Sequence, residues 1–139
     1  MALIGGGGAG NVAGGANPSG TSSNLNYVGN HAYAYSGTFD YNNNFTAGVD
    51  FTTGSEYIMA RIFWSFSESG SDNVEMQVFT NSEKIFASEA LNLVSTEPYA
   101  GTYLDLLIPP FTKIEVGCLN ATNANSHPAN VTLTGRVYN

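Results

Sequence analysis

The sequence predicts an all-β fold, an antiparallel β-sandwich or jelly roll of about seven or eight strands, preceded by an extended Gly-rich N-terminal arm. Three observations carry this reading. From residue 27 onward, short β-branched and aromatic runs are punctuated by Gly, Asn, Asp, Ser and Pro, the texture of strands and turns. Several runs alternate apolar and polar residues with the period of two that a half-buried strand requires. Half of the 16 glycines fall within the first twenty residues, so they describe an arm and not a loose body.

The arm is assigned to residues 1–26 and the body to residues 27–139. Between Gly5 and Gly20 eight of sixteen residues are Gly, with Ala, Asn, Val, Pro and Ser for the rest. Such a segment buries too little to fold alone and is expected to order only against another surface. Leu3, Ile4, Val12 and Leu25 are its candidate apolar anchors.

In the body, His31 to Tyr41 and Phe45 to Phe51 read as the first strands. Tyr57 to Phe66 is the clearest one: Ile58, Ala60, Ile62, Trp64 and Phe66 point one way, and Tyr57, Met59, Arg61, Phe63 and Ser65 the other. Both faces are largely apolar, which predicts a central position. Val74, Met76 and Val78 form a one-sided strand after the turn signal Ser69 to Asn73, and the two are expected to pair as a hairpin. Ser82 to Val94 is ambiguous between a short helix capped by Ser82 and a strand over Lys84 to Ser88, of which the strand is chosen. Leu104, Leu106 and Ile108 make a strand closed by Pro109-Pro110, since proline cannot donate to a ladder. Ile114 to Cys118 and Val131 to Val137 complete the set, and Gly117 and Gly135 inside them signal bulges or close backbone approach.

The charge pattern removes several functions. The net charge is -7 and the pI near 4.4, with four Lys plus Arg against eleven Asp plus Glu. Nucleic-acid binding depends on basic side chains neutralising phosphates, so no nucleic-acid partner is expected. Charged residues make up 11% of the chain, under half the usual share of about 25%; Asn, Ser, Thr and Gly supply the polar surface. Cys118 alone makes no internal disulfide, leaving the fold to packing. Gly5 to Gly8 stand where an export leader needs an apolar run, and no stretch reaches the roughly 20 apolar residues of a membrane span. The chain is therefore expected to be made and assembled inside a cell, with no membrane partner.

Motifs for chemistry are sparse. Gly5, Gly7 and Gly10 satisfy G-x-G-x-x-G, but a dinucleotide site needs a strand before these glycines and a helix after them. His31, His127 and Cys118 are the only imidazoles and the only thiol, too scattered for a zinc ligand set. There is no G-x-S-x-G, and His127-Pro128 reads as a turn in the Asn-rich loop from Asn120 to Asn130. Asp40, Asp50, Glu56 and Glu68 are the acids available for a carboxylate pair, and scattered acids of this kind occur on any β surface. Neither catalysis, cofactor nor metal is expected. The sequons at Asn44, Asn120 and Asn130 are coincidences of an Asn-rich chain. Tyr27, Tyr33, Tyr35, Phe39, Tyr41, Tyr99, Tyr103 and Tyr138 fall mostly near turns and strand ends, where they serve rim packing, a protein interface or sugar stacking.

The opening Gly5 to Gly20, the run Asn30 to Gly37 (NHAYAYSG), the segment Leu106 to Val116 (LLIPPFTKIEV) and the closing Val131 to Tyr138 (VTLTGRVY) resemble small structural proteins of tailed bacteriophages, most narrowly capsid decoration, or cement, proteins. The resemblance implies a β-sandwich body on the outer surface of the assembled capsid. It implies binding to the major capsid protein, bridging of neighbouring subunits, a homotrimeric state and synthesis in the host cytoplasm. Tyr33, Tyr35 and Tyr138 are then interface candidates beside the arm's anchors. A glycan-binding head-fibre or tail-tip module is the alternative, resting on Trp64, the tyrosines and the loop at Asn120 to Asn130. A small hydrolase assembled from distant residues is the third.

Overall fold

The computed structural model describes residues 25–66, 72–90 and 99–138. Leu3, Ile4, Val12, the Gly5 to Gly20 segment and Glu68 lie outside the described residues. Among the described residues are ten strands and no helix: β1 Leu25–Val28, β2 His31–Tyr35, β3 Phe39–Tyr41, β4 Thr46–Thr52, β5 Tyr57–Phe66, β6 Val74–Thr80, β7 Glu83–Ala90, β8 Tyr99–Ile108, β9 Lys113–Asn120 and β10 His127–Tyr138. They form two antiparallel sheets of a β-sandwich. A four-stranded sheet has the order β4-β9-β6-β7, and a six-stranded sheet has the order β1-β2-β10-β5-β8, with β3 also on β10.

Two differences raise the strand count above the seven or eight expected. The run from His31 to Tyr41 is two strands, because Gly37 takes φ +67° between them, a left-handed step that glycine makes without strain. Both pieces pair with β10 in tandem, β2 along Thr132 to Arg136 and β3 along His127 to Ala129. Leu25 and Asn26, assigned to the arm, open strand β1 and pair with Ala34 and Tyr33.

The expected hairpin of β5 with β6 does not form. β5 lies between β10 and β8, as its two apolar faces predicted, while β6 lies in the opposite sheet between β9 and β7. Alternation fixes which face a strand buries but not its ladder partner. Crossing over puts Val74, Met76 and Val78 into one buried core cluster with Ile58, Ile62 and Phe66 from the opposite sheet. The doubtful segment is the strand β7, joined to β6 by Asn81 (φ +50°) and Ser82 (φ +71°), a two-residue loop of the mirror-image kind that matches strand twist. His127-Pro128 opens β10 instead of forming a turn, paired with Tyr41 and Asp40 of the three-residue strand β3.

Both glycine readings hold. At Gly117 the β9–β4 register shifts, and a Cβ there would lie 1.9 Å from the Thr46 carbonyl oxygen. At Gly135 the register is regular, and a Cβ would lie 2.6 Å from Ile58 Cγ2 and 2.9 Å from the Met59 carbonyl oxygen.

The links between sheets are tied together at two ends. At one end Thr53 N–H donates to the Thr112 carbonyl at 3.0 Å and Phe111 N–H to the Gly54 carbonyl at 2.8 Å. The β4–β5 and β8–β9 links are thus one unit. At the other end Asp72, before β6, is bound by the Asn120 to His127 segment that leads into β10.

Candidate functional site

The inward residues of the six-stranded sheet build the core, so its other face is set by the alternate residues. These are Tyr33 and Tyr35 of β2, Arg136 and Tyr138 of β10, Tyr57, Met59, Arg61 and Phe63 of β5, and Tyr103, Asp105 and Leu107 of β8, with Val28 at the β1 edge. Register aligns them in rows. Tyr35, Thr132, Phe63 and Tyr103 form one row, Tyr33, Thr134, Arg61 and Asp105 the next, and His31, Arg136, Met59 and Leu107 the third.

Among the described residues, nine of the eleven large apolar side chains that face solvent lie here, each 42 to 66% exposed. Ile85 and Phe111 are the other two. Taking roughly 200 Å² for a whole aromatic side chain, the face offers on the order of 800 Å² of side-chain surface, one partner's share of a standard protein interface. The largest apolar patch on an ordinary monomer is about 300–600 Å².

Within the face, one cation and one anion are paired with each other. Arg61 donates through Nε to Asp105 Oδ1 at 2.7 Å and through Nη2 to Oδ2 at 2.9 Å, a two-pronged pairing. Its guanidinium lies 3.8 Å over the Tyr103 ring, and the Phe63 and Tyr103 rings stand 6.1 Å apart. The Arg61 hydrogen bonds hold the Asp105 carboxyl below the usual carboxylate range, and those same bonds raise the Arg61 pKa. Arg136 lies 5.7 Å from the Tyr138 ring. A shallow, open depression is lined here by His31, Tyr33, Met59, Arg61, Asp105 and Thr134.

The outer face of the four-stranded sheet is different in kind. Asp50 stands opposite Glu115 across β4 and β9, and Glu75 opposite Glu89 across β6 and β7. Like charges facing each other repel, which suits a surface held in water.

The two histidines divide. His31 is on the exposed face; His127 is buried and its Nε2 lies 3.0 Å from Asp72 Oδ2. Because a carboxylate only accepts, the imidazole is the donor. Asn120 Nδ2 donates to Asp72 Oδ2 at 3.0 Å and Asn123 Nδ2 to Oδ1 at 2.7 Å. Led by the His127 bond, these donors push the Asp72 pKa down to about 2. Both oxygens of Asp72 are occupied in tying the chain, which makes this cluster a structural knot. The Asn-rich loop is largely closed upon itself, with Thr122 N–H and Asn123 N–H both donating to Asn120 Oδ1.

Of the candidates read from the sequence, Tyr33, Tyr35 and Tyr138 stand on the exposed face. Leu25 faces inward from β1 and packs against the body's own core, so that contact already occupies part of its apolar surface. Trp64 is 4% exposed and packs in the core, its ring 6.1 Å from Phe86; it has no face to offer a sugar. Cys118 is fully buried, and burial pushes its thiol up to about 12, which leaves it unreactive. Among the described residues no three His, Cys, Asp or Glu side chains gather as a metal site, and no helix is long and apolar enough to cross a membrane. Tyr103, one of the tyrosines noted in the sequence, stands on this face as well; Tyr57, Met59, Phe63 and Leu107 share it without having been singled out, although the outward alternation of β5 contains the signal for the first three.

No protein-family model matches the chain, and no curated protein matches it in sequence.

Proposed function

We propose that this chain is a virion structural protein. It binds the outer surface of an assembled phage capsid through the exposed face of its six-stranded sheet and bridges neighbouring major capsid subunits. The observation that supports docking is the gathering of nine exposed large apolar side chains on one face, around an internally neutralised Arg61–Asp105 pair. The choice of a capsid as the docking surface rests on the phage-like segments Asn30 to Gly37, Leu106 to Val116 and Val131 to Tyr138. A molecule that binds the assembled lattice but not its free subunits stabilises the lattice by mass action. Many copies let modest contacts add.

The test is co-sedimentation with empty shells assembled from the major capsid protein encoded alongside this chain. Saturable binding and a raised melting temperature of the shell are expected; a shell that takes up none of the protein refutes the proposal.

The second reading is a glycan-binding virion module. The depression lined by Tyr33, Arg61 and Asp105 favours it, because it sets aromatic and charged groups side by side. A glycan array separates the two: hits that Tyr33→Ala abolishes would favour sugar binding over shell binding.

A further inference from the structure

We infer that Phe111 is the anchor of docking, a ring carried on a fixed turn that enters an apolar pocket of the shell protein; this rests on the capsid reading above. Phe111 is the most exposed large apolar side chain among the described residues, at 73%. Its backbone takes φ +54°, a conformation in which a side chain as bulky as phenylalanine is a genuine outlier and glycine is at ease. The ring therefore occupies a position where it gives the body little burial and its backbone conformation is unfavourable.

The turn around it is held fast. Phe111 N–H donates to the Gly54 carbonyl, Thr112 N–H to Thr53 Oγ1 at 2.8 Å, Thr53 Oγ1–H to the Pro109 carbonyl at 2.8 Å and Thr112 Oγ1–H to the Pro110 carbonyl at 3.1 Å. Two prolines precede the ring, each with a fixed φ. An aromatic whose backbone is already fixed has only its side-chain rotamers to order on binding, a property of an interface anchor.

The surroundings select the occupant. The turn lies at the end of the sandwich, in the link that carries the chain from β8 of the six-stranded sheet, where Leu107 is exposed, to β9 of the other sheet. The hydroxyls of Thr53 and Thr112 are committed to backbone carbonyls, leaving them unsuited to address sugar hydroxyls. An anionic bilayer would repel a chain of net charge -7. A protein pocket of one-ring size remains, and on the capsid reading the shell carries it.

Three proteins test this on empty shells: wild type, Phe111→Gly and Phe111→Ala. Phe111→Gly relieves the backbone, so its melting temperature should rise by about 3 °C. Its half-saturation concentration should rise by about thirtyfold, the loss typical of an interface anchor. Phe111→Ala should lose binding equally without the thermal gain. Wild-type affinity in Phe111→Gly, while the wild type binds, overturns the anchor and leaves capsid docking standing. A fall in melting temperature for both variants assigns the ring to the body's own packing and also overturns it. A change in sedimentation of the free protein would place a second copy on Phe111 and overturn the shell assignment. Failure of the wild type to bind overturns capsid docking and the anchor together.

Discussion

Replacing Met59 and Leu107 together by threonine separates a docking face from a second core. The two are ladder partners on the outward side of β5 and β8, each 50% exposed. Their inward neighbours Ile58 and Ile108 are fully buried, so the double variant keeps the core and, through threonine, strand propensity. Its cost to folding is one cross-strand pair, roughly 0.2–1 kcal/mol. Docking loses more. Each side chain withdraws on the order of 100 Å² of exposed surface, about 2.5 kcal/mol apiece at 25 cal/mol per Å² if the partner covers it fully. Threonine retains a methyl group and association recovers only part of buried area, which brings the pair to about 2 kcal/mol, or thirtyfold in affinity. Thermal unfolding by circular dichroism reads the first quantity and co-sedimentation with empty shells the second. Ile85→Thr, an exposed apolar side chain on β7, is the matched control and should leave docking unchanged. Unaltered shell affinity in the double variant would refute the assignment of this face, and loss of folding would show that the face belongs to the core.

Two further outcomes test the body. Gly117→Ala forces a Cβ to within 1.9 Å of the Thr46 carbonyl oxygen, and its only relief is to move backbone; about 3 kcal/mol of destabilisation is expected in urea unfolding, and a loss under about 0.5 kcal/mol would mean that the bulge yields freely. Asp72, with its pKa depressed to about 2, contributes stability that is fully present above its unfolded value near 4 and is lost as pH falls toward 2. Urea midpoints of the wild type should therefore drop across that window, while Asp72→Asn should start lower at neutral pH and fall less; parallel curves would remove Asp72 from the knot.

What the sequence made legible follows from range. Strand β5 and its two faces were readable because alternation is local. Gly117 was readable because a glycine inside an apolar run forgoes side-chain packing, as a bulge or a close backbone approach requires. Pairing partners were not, since Val74, Met76 and Val78 alternate in the same way whether β6 lies beside β5 or across the core from it. The Asp72–His127 contact joins residues 55 positions apart, so nothing local to the Asn-rich loop signals that it is tied down or that His127-Pro128 opens a strand instead of making a turn. Trp64 looked available for sugar because composition counts a ring without saying which side of the strand it is on, although the Ile58 to Phe66 series placed it with the core. Phe111 left no trace in pattern: the segment Pro109 to Thr112 announces a turn, but the sign of φ at its third residue is decided by the bonds to Gly54 and Thr53.

The most direct test of the docking face is the image reconstruction of a shell saturated with this protein. The expected density places the sandwich with Tyr33, Met59 and Tyr103 against the shell and Asp50, Glu75 and Glu89 toward solvent. Density with the acidic four-stranded face on the shell, or none at all, would contradict it.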